Sequence, residues 1–150
     1  MPTGGPQPLA IRTLKLGREL HGAGSGTLAL TGSFRPAGAI APESTDTLTV
    51  DLRDPSHVVF TAALDHPASD PFWRRRHGRM QYAKRGGGLG SVLLKQKPSG
   101  SVDVTLRGRR LAFTGLDDAA VSARLRIGAQ CFTADLSSRC TLDAKKLRCR

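Results

Sequence analysis

Apolar and polar residues alternate one for one along most of this chain, and a period of two dictates extended strands, not helices. In GTLALTGSF (26–34), Leu28, Leu30 and Phe34 fall on one face, with Thr27, Thr31 and Ser33 on the other. In DTLTVDL (46–52), Leu48, Val50 and Leu52 point one way and Thr47, Thr49 and Asp51 the other. VVFTAAL (58–64) follows after Asp54-Pro55, a turn dipeptide, so these two segments are expected to form a hairpin. No long window carries helical periodicity.

IRTLKLGREL is the first strand, with Ile11, Leu14 and Leu16 only loosely periodic, and further strands follow in GRMQYAKR, SVLLKQK, SVDVTLRGRRLAF, VSARLRIGAQCFTADL and RCTLDAKKLRC. That makes about nine strands, separated by turn signals that include Lys97-Pro98-Ser99-Gly100. Without crossover helices the pairing must be antiparallel. The fold class expected is therefore all-β, an antiparallel β-sandwich of about nine strands. Residues 1–10 are expected to be a flexible N-terminal segment and 11–150 a single domain, since a chain of 150 residues can bury a core without staples. One parity change stands out: Val102, Val104 and Leu106 are in phase, but Leu111 and Phe113 are not. A β-bulge or tight bend at Arg107-Gly108-Arg109 would absorb the slip.

The net charge is +11, and it is unevenly placed. Residues 1–73 hold five Lys or Arg against seven Asp or Glu, whereas 74–150 hold eighteen against five. The excess begins at FWRRRHGRMQYAKR (72–85), where six cations lie among three aromatics. Such a field attracts nucleic acid, acidic glycans or anionic headgroups. The candidate polyanion-binding residues are Arg74, Arg75, Arg76, Arg79, Lys95, Lys97, Arg107, Arg109, Arg124 and Arg126. If their strands are neighbours, the cations form rows on one sheet face. The competing reading is compositional: arginine greatly outnumbers lysine, as in GC-rich genomes. Met80 and Tyr82 share a face opposite Arg79, Gln81 and Arg85, as in an ordinary half-buried strand. A base-stacking platform would instead expose its aromatics among the cations.

Motifs for other chemistry are weak. His21, His57, His66 and His77 are scattered in or near turns, with no metalloprotease spacing. GAGSGT (22–27) and GGGLGS (86–91) are glycine-rich, but neither opens a helix as a phosphate cradle requires, so both are expected to be hairpin loops. Asp65 and Asp70 flank a Pro-containing loop, a minor calcium candidate, and Asp117-Asp118 is a loop pair. No catalytic residue, cofactor or metal site is expected, and the chain is read as not an enzyme.

Cys131, Cys140 and Cys149 are spaced nine and nine. In CTLDAKKLRC, a loop at Asp143–Lys146 pairs Leu142 with Leu147 and sets Cys140 opposite Cys149, within the reach of a disulfide. A turn at Asp135-Leu136 would likewise set Cys131 opposite Cys140, bringing all three into one row. The favoured pair is Cys140–Cys149. Cys131–Cys140 and three reduced thiols are the alternatives, and a zinc site lacks both CxxC spacing and a nearby histidine.

No stretch is long and apolar enough to span a membrane, and the N-terminus lacks the apolar core of a signal peptide. The motifs at Asp46–Leu52, Arg79–Tyr82, Leu89–Lys95 and Arg126–Phe132 resemble a β-rich domain, itself without established activity, found in exported, often repeat-containing proteins of environmental bacteria. The resemblance runs from about Leu14 to Cys149. It implies export, an extracellular or cell-envelope location, and a non-catalytic structural or adhesive role. The alternative is a polyanion-binding module whose basic sheet face takes nucleic acid or an acidic glycan.

Overall fold

The computed structural model describes residues 7–17, 24–40, 46–64, 73–84, 88–114, 116, 118–143 and 145–150. Among these the protein is all-β, with twelve strands. They are β1 (Gln7–Gly17), β2 (Gly26–Phe34), β3 (Leu48–Arg53), β4 (Val58–Leu64), β5 (Trp73–Arg76), β6 (Arg79–Ala83), β7 (Gly88–Gln96), β8 (Val102–Leu111), β9 (Ser122–Ile127), β10 (Gln130–Asp135), β11 (Cys140–Leu142) and β12 (Leu147–Cys149). The expected sandwich is not what forms. Ten strands run in one continuous path, β4-β3-β9-β10-β1-β2-β8-β7-β6-β5, curled into a half-barrel, with β12 added to β1 and β11 to β12.

Three strands exceed the expected nine: β5 precedes the GRMQYAKR segment, and VSARLRIGAQCFTADL and RCTLDAKKLRC each divide into two strands. His77-Gly78 divides β5 from β6, both residues in left-handed backbone with φ of 47° and 76°. That is the backbone of a two-residue hairpin turn matched to strand twist. Gly128, at φ 60°, divides β9 from β10 in the same manner. The third is the β11–β12 hairpin. The sheet is also mixed, because β1 and β10 pair in parallel at Gln7↔Phe132 and Pro8↔Thr133. β1 begins at Gln7, so residues 7–10 belong to the sheet and not to a flexible segment.

β1 is the seam. Along one side β2 pairs with nearly its whole length; along the other, β10 takes its start and β12 takes Leu14–Leu16. Between β10 and β12 the Ile11 carbonyl accepts a hydrogen bond from Nη2 of Arg139 at 2.7 Å, and Nε of Arg139 donates to the Arg150 carbonyl at 2.6 Å. One cation is thus spent on joining strands.

The concave face is apolar, and the period-two reading of which residues face it holds. Leu28, Leu30, Phe34, Leu48, Val50, Leu52, Val102, Val104 and Leu106 are all buried. Phe34 of β2 tilts against Phe132 of β10 with ring centroids 4.3 Å apart. Phe60 of β4 meets Phe113, just after β8, edge-on at 5.8 Å. Thr114 N donates to the Val59 carbonyl at 2.8 Å, so the segment leaving β8 lies against β4 at the far end of the sheet path.

The parity change in β8 is absorbed by a bulge, slightly later than expected. Against β2 the register runs from Leu28↔Gly108 to Gly26↔Leu111, leaving one extra residue in β8, and Arg110 takes φ 57°. A second irregularity falls in β7 between Leu89 and Ser91. Leu106 and Leu111 therefore both face the core. The Gly88-Leu89-Gly90 part of the second glycine-rich run is strand, not loop.

Candidate functional site

Cross-strand register sorts the candidate cations onto faces. Arg76 of β5 stands opposite Arg79 of β6, which stands opposite Lys95 of β7, which stands opposite Asp103 of β8. All three cations are exposed on the outer face. Directly opposed side chains have Cβ atoms about 4.5–5.5 Å apart, so this row holds like charges close together. Arg74, two residues from Arg76 on the same face, stands opposite Gln81.

The remaining candidates separate. Arg75 is opposite Met80, which is buried, and so stands on the other face of β5, with Nη2 3.4 Å from Oε1 of Gln96. An inward charge on an edge strand discourages strand addition. Lys97, past the end of β7, pairs with Asp103 at 3.1 Å, and Arg12 reaches the same carboxylate at 3.8 Å. Arg107 is opposite Ser91 and Ala29, and Arg109 is opposite Gly88. Both are exposed on the outer side of β8.

Arg124 and Arg126 do not join these rows. β8 and β9 are not neighbours: β10, β1 and β2 lie between them. Arg124 faces out opposite Asp51 and Thr133, and Arg126 opposite Thr49 and Cys131. The sequence shows that these strands carry outward arginines but not which strands adjoin.

Between the Arg76–Arg79–Lys95 row and Arg107 lies a hydroxyl ladder, Thr105–Thr31–Thr13, whose last two members hydrogen-bond at 2.7 Å. The described aromatics point away from this face. Trp73 and Tyr82 are buried with centroids 5.3 Å apart, and Phe34, Phe60, Phe113 and Phe132 are in the core. The segregation of aromatics from cations seen in 72–85 therefore holds for the described residues.

One cluster gathers a buried carboxylate, a serine and a histidine at the β3–β4 turn. Asp54, in the β3–β4 turn, is 4% exposed. Its Oδ1 accepts from Ser56 N and His57 N at 2.9 Å each and from Ser56 Oγ at 3.1 Å. Nδ1 of His57 lies 3.1 Å from the same oxygen. Ser56 Oγ lies 3.2 Å from the same Nδ1, and the other ring nitrogen, Nε2, donates to the Thr114 carbonyl at 2.5 Å. The trio is a clasp that fastens this turn to the segment after β8.

Burial works to raise the Asp54 pKa, but the two backbone N–H bonds, the Ser56 hydroxyl and the His57 ring outweigh it and hold the carboxyl below its ordinary value. Backbone and hydroxyl bonds from Ser137 lower Asp135, and the Lys145 and Lys146 backbone with the nearby Lys146 and Arg148 charges lowers Asp143. Groups depressed in the folded state stabilise it fully above their unfolded values and cease to do so as pH falls through the folded ones. Stability is therefore expected to decline below about pH 4, from an unfolded value near 3.8. A thermal-melt series across that range should show Asp54→Asn with the shallower acid limb; equal limbs would remove Asp54 from the account.

Cys140 and Cys149 pair across β11 and β12 in the expected register, with Cα atoms 4.0 Å apart and sulfurs at bonding distance. Cys131 is not in their row. It is opposite Arg126 and its thiol is unpaired, because β10 pairs with β9 and β1 and not with β11. Among the described residues no group of three or more His, Cys, Asp or Glu is placed to hold a metal ion, and no helix is long and apolar enough to cross a membrane. His21, His66, Asp65, Asp70, Arg85 and Asp117 lie outside the described residues.

No protein-family model matches the chain, and neither the curated proteins nor the solved structures compared with it give a match.

Proposed function

We infer that this chain is a non-catalytic adhesive module that acts outside the cytoplasm by holding polyanions on the outer face of β5–β8. The observation that carries the reading is the Arg76–Arg79–Lys95 row, three exposed cations opposed across three strands with no carboxylate before Asp103. Like charges set opposite one another cost folding energy. A polyanion removes that cost and gains from counterion release. The Cys140–Cys149 pair fits an oxidising compartment, and the resemblance to exported bacterial domains points the same way.

The test is binding of the whole chain to heparin and to a labelled oligonucleotide across a salt series. Arg76→Gln/Arg79→Gln/Lys95→Gln should weaken binding and flatten the log–log salt slope on the oligonucleotide by about two to three. Arg124→Gln/Arg126→Gln, on the β3–β9–β10 part of the sheet, should change the affinity less than twofold. Absence of binding to either ligand at about 50 mM salt, where an electrostatic site is strong, would end this reading.

A further inference from the structure

A second row of cations runs across the same outer face, and only Arg107 in it was a candidate on sequence grounds. The register connects Ala83 of β6, Ser91 of β7, Arg107 of β8, Ala29 of β2, Lys15 of β1, Arg148 of β12 and Thr141 of β11. From β6 to β12 this line crosses six adjacent strands. At 4.7–4.9 Å between strands it is about 24 Å long. The residues in the line are cationic, small or hydroxylic, and none is a carboxylate.

Two clefts open along this line. One, of about 240 Å³, is bounded by Lys84, Arg107 and Arg109, with Ser91 and the glycines Gly90 and Gly108 leaving room between them. It sits where β7 and β8 lose regular register, so the irregularities that restore the core phase also hollow the outer face. The other, of about 250 Å³, lies between β2, β1 and the β11–β12 hairpin, with Lys15, Lys146 and Arg148 on its walls and Thr27 beside them. Ala29 stands between Arg107 and Lys15 and presents only a methyl group to the line joining them.

We propose that the two clefts are one track that binds a linear acidic glycan, a polysaccharide chain bearing sulfate or carboxylate groups, laid across the strands from Lys84 to Arg148. This rests on the polyanion-binding reading and names its ligand and its site. The track offers cations at intervals, glycine-lined space and hydroxyls. Each cleft is too small for a nucleic-acid duplex and suits one anionic group with the sugar that carries it. A single-stranded nucleic acid also fits a narrow track, but its binding draws on aromatic faces that stack the bases, and the described aromatics are buried. The neighbouring Thr105–Thr31–Thr13 ladder supplies hydroxyl partners for a sugar chain on the side facing the Arg79 row.

The experiment measures affinity of the whole chain for a heparin oligosaccharide long enough to span about 24 Å of track, a polygalacturonate oligosaccharide, and a thymidine oligonucleotide of matched charge. It uses wild type, the track variant Lys15→Gln/Arg148→Gln, and the row variant Arg76→Gln/Arg79→Gln/Lys95→Gln. Support is an oligosaccharide bound more tightly than the oligonucleotide and weakened about tenfold or more by the track variant, as loss of two ionic contacts implies. Whether sulfate or carboxylate is preferred is read from the two glycans. Glycan affinity untouched by the track variant but lost in the row variant would overturn the track and leave the polyanion reading standing. Oligonucleotide bound more tightly than either glycan would overturn the glycan assignment. No binding of any ligand would end both.

Discussion

Phe132→Ala is expected to lower the unfolding free energy by about 3–5 kcal/mol. Phe132 is fully buried, and its strand is held on both sides. On one side it is opposite Leu125 of β9, and on the other it is opposite Gln7 in the parallel ladder with β1. Its ring rests on Phe34 of β2 at 4.3 Å, across the concave face of the half-barrel. Two hydrogen-bonded ladders prevent β10 from moving inward to refill the space, so the cavity term adds to the lost burial. Urea unfolding of the variant should show a lower midpoint with an unchanged slope. Thr133→Ala, next in sequence but on the outer face, should change stability by no more than about 0.5 kcal/mol. A loss below about 1 kcal/mol at Phe132 would mean that the β1–β10 seam is not packed as described.

That seam also explains what could and could not be read from the residues. Facing was legible. Alternation assigned Leu48, Val50 and Leu52 to the core and Arg79, Lys95, Arg107 and Arg124 to solvent, because a period-two pattern states directly which side chains share a face. Local pairing was legible where a short loop set the register, as at Asp143–Lys146, which put Cys140 opposite Cys149. Turns lacking a Pro or a usual Asn-Gly or Asp-Gly signal were harder to read: the inward parity shifts from Trp73 to Met80 across His77-Gly78 and from Ile127 to Phe132 across Gly128-Ala129, and with the loop at Asp143–Lys146 these turns bring nine strands to twelve.

Strand order was not legible, and the basic face depends on it. Nothing in SVDVTLRGRRLAF or VSARLRI says that β8 pairs with β2 and β7 while β9 pairs with β3 and β10. Rows that include Arg107, Arg124 and Arg126 would need β8 beside β9, whereas the sheet places Lys15 and Arg148 in the row of Arg107. Both carried a local signal: Lys15 lies between inward Leu14 and Leu16, and Arg148 between inward Leu147 and Cys149. Lys15 lies 92 positions from Arg107 and 133 from Arg148, and only long-range pairing, which no local pattern encodes, joins them in one row.

Removing the disulfide as Cys140→Ser/Cys149→Ser is expected to cost about 2.5–3 kcal/mol, the value that loop-closure entropy gives for so short a loop. The consequence reaches beyond the hairpin. β11 has β12 as its strand partner, and β12 is fastened to the sheet through three residue pairs with β1, from Leu14↔Cys149 to Leu16↔Leu147. With Cys149 wholly buried on the core side and Arg148 on the outer side, the same three-residue strand that seals the core also carries one wall of the second cleft. Reductant should therefore lower the melting temperature of wild type toward that of the double variant and leave the variant unmoved. Glycan affinity should fall alongside it, because loosening β12 displaces Arg148 from Lys15. Alkylation of the folded wild type should label Cys131 alone, and all three thiols after reduction and unfolding; labelling of three before reduction would mean that the pair is not bonded in solution. If stability fell on reduction while glycan affinity did not, Arg148 would have no part in binding, and the track would end at Lys15.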